Sequence, residues 1–563
     1  MISPGVRGEV PPLKGRTGID PALARLADGV LIPPFPGTVA PGWILDALGR
    51  GLAGVTLFGH NVLGDTFALT AALRAVCDVE PVIAIDEEGG DVTRVAYADG
   101  SPYPGNAALG AVDDVLLTRA VYSAIGRDLV ALGINLNLAP CADVLGGDST
   151  AVGTRSFGSS TALVARHTVA AVQGLQAAGV AACAKHFPGH GSTGSTDSHH
   201  AIATVLGSLD DVRRRDLPPF SAAIESGAAA VMPGHLRVPE LTGDRPATLS
   251  AAAVTGLLRG SLGFTGVVIS DALEMKATQD AFGIPGAAVL AIEAGVDLLC
   301  FGRDTDYEMY QAVRTALADA VTSGSLPGSR LEEAADRVAQ LRTHLAARTT
   351  GTTGTSDGYS HDGQSRIGYS DIGVSDTGLS EAGLSEAGLS EAGLSEAGLS
   401  EAGLSEVGLT AARRAIRLSG LRPGVRLSRP LIIEVEPREN IAAGEFAWGL
   451  GPWAPVRRVS AGDPLDMSDA DGRSLVVVVR DAIHAQAWLE DVLAARPDTI
   501  LVEMGVPLWA PPAGTAYLAT YGASRASAQA AAELLGLALA LTIPAVRATR
   551  VLVRETDRPN RPN

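Results

Sequence analysis

The segment Lys185–His200, KHFPGHGSTGSTDSHH, gathers four of the chain's ten histidines with an aspartate and a lysine. The lysine stands out because the chain has only two others, Lys14 and Lys276, and arginine supplies every other basic side chain. An ammonium is a compact, strongly hydrated charge that a planar guanidinium does not imitate. A lysine kept in a His/Asp/Gly-rich segment therefore points to a site that uses it, against the plainer reading of a polar loop with chance histidines. A second candidate is IDEEGGDVTR, with Asp86, Glu87 and Glu88 in succession. Gly89 and Gly90 permit a tight turn there, and Arg94 offers a counter-charge. The alternative is a solvated acidic turn. Two further patterns are weaker. GHGSTGST (189–196) approaches a phosphate-binding loop, but Ser195 stands where the lysine is required. His186 and His190 have the i, i+4 spacing of a zinc pair, yet Pro188 and Gly189 between them argue against a helix that would align the rings.

These residues must be positioned by the elements around them. From about 19 to 345 short Val/Ile-rich runs alternate with Ala/Leu-rich helical stretches. The strand candidates are GVLIPP, GVTLFG, PVIAID, INLNLAP, VAACAKHF, AAVMPGH, GVVISD and VDLLCF. Repeated β–α units of this length predict a (β/α)8 TIM-like barrel, with an open sheet as the alternative. Asp86, Asp143, Lys185, His186, His235 and Asp271 all fall at the ends of these runs. In a barrel those ends converge on the face that carries chemistry. Residues 346–410 read as a low-complexity linker: a Thr/Gly/Ser run, then GLSEA repeats from Gly378. Glycine at every fifth position weakens a helix, and a period of five spreads leucine around all its sides. The last copy runs into SEVGLTAARRAIRL, which reads as the start of a helix. Residues 411–550 predict a smaller α/β domain, with PLIIEVE, SLVVVVR, TILVEMG and TAYLATYG as strands. An extension at 1–18 and a frayed tail at 551–563 flank the whole.

Taken in order, IDEEGGDVTR, GINLNLAPCADV, TRSFG, KHFPGHG with DSH, VMPGH, PATLS and LRGSLGFTGVVISDALEM make the chain resemble glycoside hydrolase family 3, in its β-N-acetylglucosaminidase branch. The resemblance implies Asp271 as nucleophile and His199, paired with Asp197 on a mobile loop, as general acid/base. It implies Asp86, Arg155, Lys185 and His186 as groups that grip sugar hydroxyls, with Arg94 in support. It implies no metal and no other cofactor. Ser192 departs from the family's usual aspartate, and Gly194-Ser195 lengthens the stretch before DSH by one residue, which leaves His200 as an alternative to His199.

The chemistry is coherent from below. A retaining glycosidase needs a nucleophilic carboxylate and a proton donor at the glycosidic oxygen. Imidazole titrates near neutrality and serves as both acid and base. The expected function is hydrolysis of terminal β-linked GlcNAc from cell-wall-type oligosaccharides. A phosphorylase with the same site and a non-catalytic sugar-binding protein are the alternatives. The net charge of −18 and the lack of basic runs argue against nucleic acid as a partner, and no run is long enough to span a membrane. Four scattered cysteines read as reduced core thiols in a cytoplasmic protein. The sequence does not indicate an oligomeric state.

Overall fold

All eight expected barrel strands are present, and each of their pairings is parallel. The computed structural model describes residues 19–146, 152–193, 203–351, 401–421, 425–438, 443, 448–464 and 467–538. Six strands form one sheet in the order Gly54–Leu57, Val82–Ile85, Leu136–Asn137, Ala181–Phe187, Ala230–Pro233, Val267–Val268. Leu31–Ile32 pairs with Leu299–Cys300. A bridge from Ile269 to Leu298 joins this pair to one edge of the six. On the other edge Thr56 N donates to Pro33 O at 3.3 Å and Thr56 Oγ1 to Ile32 O at 3.1 Å. The sheet thus closes on itself, as the alternation of elements predicts.

Strand alternation divides the core into two layers. Val82, Ala84, Ala181, Cys183, Ala230, Met232, Ile269 and Cys300 fill the barrel interior, which Val338, Leu341 and Leu345 of helix Gly328–Gly351 adjoin. Their neighbours Ile83, Ile85, Ala182, Ala184, Val231 and Leu299 face outward into the layer shared with the helices. Helix Thr161–Ala177 shows how the sequence builds that layer. Ser160 caps it by accepting from Leu163 N. Val164, Ala171, Val172 and Leu175 recur at helical spacing and are buried. Gly174 lets helix Val115–Ala131 approach closely, since a Cβ there would stand 2.5 Å from Arg119 O.

The second domain is a six-stranded sheet in the order Arg417–Ser419, Ala516–Ala519, Ile500–Glu503, Leu475–Val479, Leu431–Val435, Val456–Val459, with only the first strand antiparallel. Two of these strands, Arg417–Ser419 and Val456–Val459, escape the sequence reading. Both are short edge strands carrying exposed arginines, so neither shows the apolar run that betrays a central strand. The boundaries set for the repeat linker also shift. The barrel's last helix continues to Gly351, and helix Glu401–Ala415 begins inside the repeat. That helix is docked: Val407 and Ala411 join the barrel's outer core, and Ala412 packs on Ala526 and Ala530 of helix Arg525–Leu534. Among the described residues no helix is long and apolar enough to cross a membrane.

Candidate active site

Lys185 occupies the strand Ala181–Phe187, in register with the inward-facing Ala181 and Cys183, so its side chain enters the mouth of the barrel. Its ammonium lies 2.5 Å from Asp86 Oδ1 and 2.7 Å from Glu88 Oε1. Glu88 in turn holds Arg155 through a two-pronged contact, Nη2 to Oε1 at 2.7 Å and Nε to Oε2 at 2.9 Å. Two carboxylates and two cations thus alternate across three strand ends. Burial opposes the charge on Glu88 and on Lys185, but their partners outweigh it. Arg155 and Lys185 hold the Glu88 carboxyl well below its usual range. Asp86 and Glu88 hold the Lys185 ammonium above its own. Asp86, with its side chain 23% exposed, is the member open to a ligand, whereas Lys185 and Glu88 are each at 3%.

The acidic run is therefore not a solvated turn. Glu87 and Glu88 are buried; Lys185 and Arg155 meet the charge of Glu88, and Arg94 acts as a counter-charge to Glu87. Glu87 staples its own loop by accepting from Thr93 Oγ1, Arg94 N and Val95 N at 2.8–3.0 Å. Asn137, on the neighbouring strand, fixes the Glu87 main chain from both sides, accepting its N–H at 2.9 Å and donating to its carbonyl at 2.8 Å. The Arg94 guanidinium donates to Ala443 O of the second domain at 3.4 Å.

Asp143 organises the KHFPGH turn. It accepts from His186 Nδ1 at 2.8 Å, His190 N at 2.7 Å and His186 N at 3.2 Å, and the Cys141 thiol donates to it at 3.0 Å. Burial would raise its carboxyl, but His186 and these donors hold it below the ordinary carboxylate range. With Nδ1 committed to Asp143, His186 turns Nε2 toward Arg155 Nη2, 3.4 Å away. The two histidines of the i, i+4 pair do not share a focus. Their rings stand edge to face at 5.9 Å, and His190 Nδ1 pairs with Thr193 Oγ1 instead. Among the described residues, the group whose possible ligand atoms do converge is Cys141, Asp143 and His186. It is tied together by the hydrogen bonds just described, and burial pushes the Cys141 thiol up, which suits a neutral donor.

Asp271 leaves the barrel just after Val267–Val268 and accepts from Ala272 N at 2.8 Å. The buried His235 donates from Nε2 to Ala272 O at 2.9 Å and so anchors the following turn. Glu274 accepts from Gly302 N at 2.6 Å, and any Cβ on Gly302 would strike its carboxylate. Two thiols lie inside the barrel below this mouth. Cys300 is pushed up by burial, and Asp86, Glu274 and Asp271 add to the rise. Cys183 is pushed up by burial too, with Asp86 and Asp271 adding and Lys185 opposing. Asp271 and the Asp86–Lys185 pair stand at the same, C-terminal ends of parallel strands of one barrel sheet.

Asp197, His199 and the alternative His200 lie outside the described residues, which stop at Thr193 and resume at Ala203. Both ends of that segment are tied beside the site. Leu206 N donates to Ser192 O at 2.9 Å, and Ala203–Thr204 pairs with Leu236–Arg237, directly after His235. The sequence reading assigns no role to Glu88, Asn137, Asp143 or His235. Asp143 and His235 could be suspected from their strand ends, and Glu88 from its place in the acidic run. Nothing local marks Asn137.

Comparison with known proteins bears on the family. The model of the glycosyl hydrolase family 3 N-terminal domain matches residues 49–341, and a GLTT repeat model matches six copies over 378–405. A β-hexosaminidase A of Pseudoalteromonas piscicida is 34% identical over 322 residues, covering 52% of this chain and 54% of that protein. The chain thus spans about half the length of that relative. A β-hexosaminidase of Mycobacterium tuberculosis is 39% identical over 266 residues, covering 46% of this chain and 67% of the relative. Among solved structures, a family 3 β-N-acetylglucosaminidase from Paenibacillus sp. str. FPU-7 aligns with a TM-score of 0.75 and 31% identity, covering 92% of this chain and 97% of its own. With the family model spanning more than half of its residues, including every strand-end group described above, the chain belongs to glycoside hydrolase family 3.

Proposed function

We propose that the protein is a retaining exo-β-N-acetylglucosaminidase acting on terminal β-linked GlcNAc, in the cytoplasm, with cell-wall-type fragments as the substrate class. The observation that carries the reading is the shared mouth. Asp271 lies at the same end of the barrel's parallel strands as an Asp86–Lys185–Glu88–Arg155 network whose outermost member is a partly exposed carboxylate. Buried free thiols accord with a reducing compartment.

Each residue then has a task. Asp86 accepts hydrogen bonds from sugar hydroxyls. Lys185, Arg155 and His186 donate or orient, held rigid by Glu88 and Asp143, neither of which needs to move during turnover. Arg94 supports this wall from the second domain's side. Asp271 attacks the anomeric carbon as the leaving group departs and forms a glycosyl ester. His199, oriented by Asp197, protonates the glycosidic oxygen in that step and takes a proton from water in the next. The described flanks support this, because Ser192 and Ala203 are both tied close to His190 and His235 in the chain. The reaction as written needs no cofactor.

The test is trapping with a slow fluorinated GlcNAc donor, followed by peptide mapping. A glycosyl label on Asp271 is expected, together with loss of turnover in Asp271→Ala for substrates with good leaving groups. A label elsewhere overturns the assignment. Product analysis in phosphate buffer separates the phosphorylase: GlcNAc as product supports hydrolysis, and GlcNAc-1-phosphate refutes it.

A further inference from the structure

The turn that carries Glu88 is held in part by the second domain. Gly89–Val92 closes through an antiparallel bridge, and Asp91 lies within it, 5% exposed. The Asp91 carboxylate receives three donors from three places. Thr154 Oγ1 donates to Oδ2 at 2.9 Å, from the short turn Gly153–Arg155 that carries Arg155. Arg480 Nη2 donates to the same oxygen at 2.8 Å, from just beyond the strand Leu475–Val479 of the second domain. Ala523 N donates to Oδ1 at 2.8 Å, from the loop that leads into helix Arg525–Leu534. Arg480 is itself enclosed, its side chain 11% exposed and its guanidinium 5.9 Å from the Trp448 ring.

We infer that Asp91 is a positioning residue through which the C-terminal domain sets the Glu88 and Arg155 turns and hence the sugar-binding face. The argument is one of charge and connectivity. A buried carboxylate needs its full complement of donors, and two of the three come from the second domain. The third is the residue before Arg155, so any shift of Asp91 is passed to that turn. Gly90 makes the arrangement tight, since a Cβ there would lie 2.5 Å from Gly105 Cα, and the turn has little room to relax sideways. Domain docking and sugar-site geometry are therefore one structural event.

This inference rests on the proposed function only in giving the Glu88–Arg155 pair a sugar to bind, and its test has one arm that does not depend on turnover. The full-length chain is compared with Arg480→Ala, Arg480→Lys, Asp91→Asn and the double variant Asp91→Asn/Arg480→Ala. In the first arm, amide exchange of residues 152–157 is followed by mass spectrometry. We expect it to rise at least tenfold in Arg480→Ala, although that substitution is made in the other domain. In the second arm, free GlcNAc is used as a competitive inhibitor of a chromogenic β-GlcNAc substrate. Arg480→Ala should weaken GlcNAc binding and raise KM about tenfold, with a smaller change in kcat. Arg480→Lys should recover part of that loss, and the double variant should lose no more than the worse single one. Unchanged exchange at 152–157 overturns the inference even if the enzyme proves inactive on GlcNAc substrates. Additive losses in the double variant, or a fall in kcat alone, overturn it equally. Inactivity of the wild type with the exchange change present counts against the proposed function and for the coupling.

Discussion

Glu88→Gln removes one charge from the centre of the candidate site and changes almost no volume. Glu88 is 3% exposed and engages two cations. Lys185 would keep Asp86, but Arg155, with its side chain 10% exposed, would lose both charged contacts of its fork. Removing one partner of a buried ion pair costs about 3–5 kcal/mol, because a desolvated charge is left uncompensated. An exposed pair is worth about 0.2–1 kcal/mol. The remaining acceptor oxygen of Gln preserves a neutral hydrogen bond, so the loss reports on charge. Amide exchange of the Ala181–Phe187 strand reads it, and 3–5 kcal/mol corresponds to acceleration by roughly a hundredfold to a few thousandfold. The pH dependence gives a second check. The Glu88 pKa is depressed in the folded chain relative to 4.5. Its contribution to stability is complete above that value and is lost as pH falls through the folded pKa. The gap between wild type and Glu88→Gln should therefore narrow below pH 4.5. A loss near 1 kcal/mol or less, or a gap that stays constant into the acid range, would refute the view of Glu88 as a desolvated tie between Lys185 and Arg155.

His199→Ala should slow substrates with poor leaving groups far more than an activated aryl glycoside, on which the intermediate should accumulate because deglycosylation also lacks its base; an equal loss for both, without accumulation, would assign the role to His200 or to none. Asp197→Ala should show a milder form of the same pattern. Glu503, in the second domain, is pushed up from 4.5 to about 7 by burial, although Tyr517 donates to it at 2.5 Å. Its contribution to stability is thus present below 4.5 and lost as pH rises through about 7. Urea unfolding of the second domain should fall in stability across that window, and Glu503→Gln should flatten the slope. Deleting several GLSEA copies between 378 and 400 should leave kcat/KM within about threefold, a change under about 1 kcal/mol, whereas Gly408→Val should destabilise the chain in a thermal melt, because a Cβ at that position would lie 2.1 Å from Pro102 O.

The barrel was legible because its signal is redundant. Eight Val/Ile-rich runs alternate with helices, and five of them carry a polar group at the same end. No single run decides the fold. The site was legible wherever chemistry and strand end coincide, as at Asp86, Lys185 and Asp271. Glu88 was harder. Three adjacent acids can also be read as a solvated turn, and the approach of Lys185 and Arg155, 97 and 67 residues away in the chain, explains the burial of Glu88. Asn137 was invisible because its work is done on the backbone of another strand, and no local pattern records that. Arg94 acts as the counter-charge its proximity suggests, on Glu87, and its further contact with Ala443 O is a tertiary feature that no local pattern records. The edge strands of the second domain failed on periodicity, since arginines at 417, 457 and 458 break the apolar run.

The last copy of the repeat is the place where local pattern and tertiary demand meet. A five-residue period cannot make an amphipathic helix by itself, because it moves leucine steadily around the axis. At 401–415 the repeat gives way to VGLTAARRA, and the glycine and alanines become an asset. Gly408 allows the helix to reach the Pro102 carbonyl closely, and the small residues Ala411 and Ala412 let it sit between the barrel and helix Arg525–Leu534. Arg414 then pairs with Asp114 of the barrel at 2.8 Å and Arg413 with Glu533 of the second domain at 2.8 Å. Those pairs are exposed and add little energy, but they fix which face of the helix meets which domain. The helix and Asp91 therefore both tie the second domain to the barrel. Such a wedge constrains the chain only from its first docked turn onward. Copies added or lost ahead of that turn should therefore leave the docked helix, and the close approach at Gly408, unchanged.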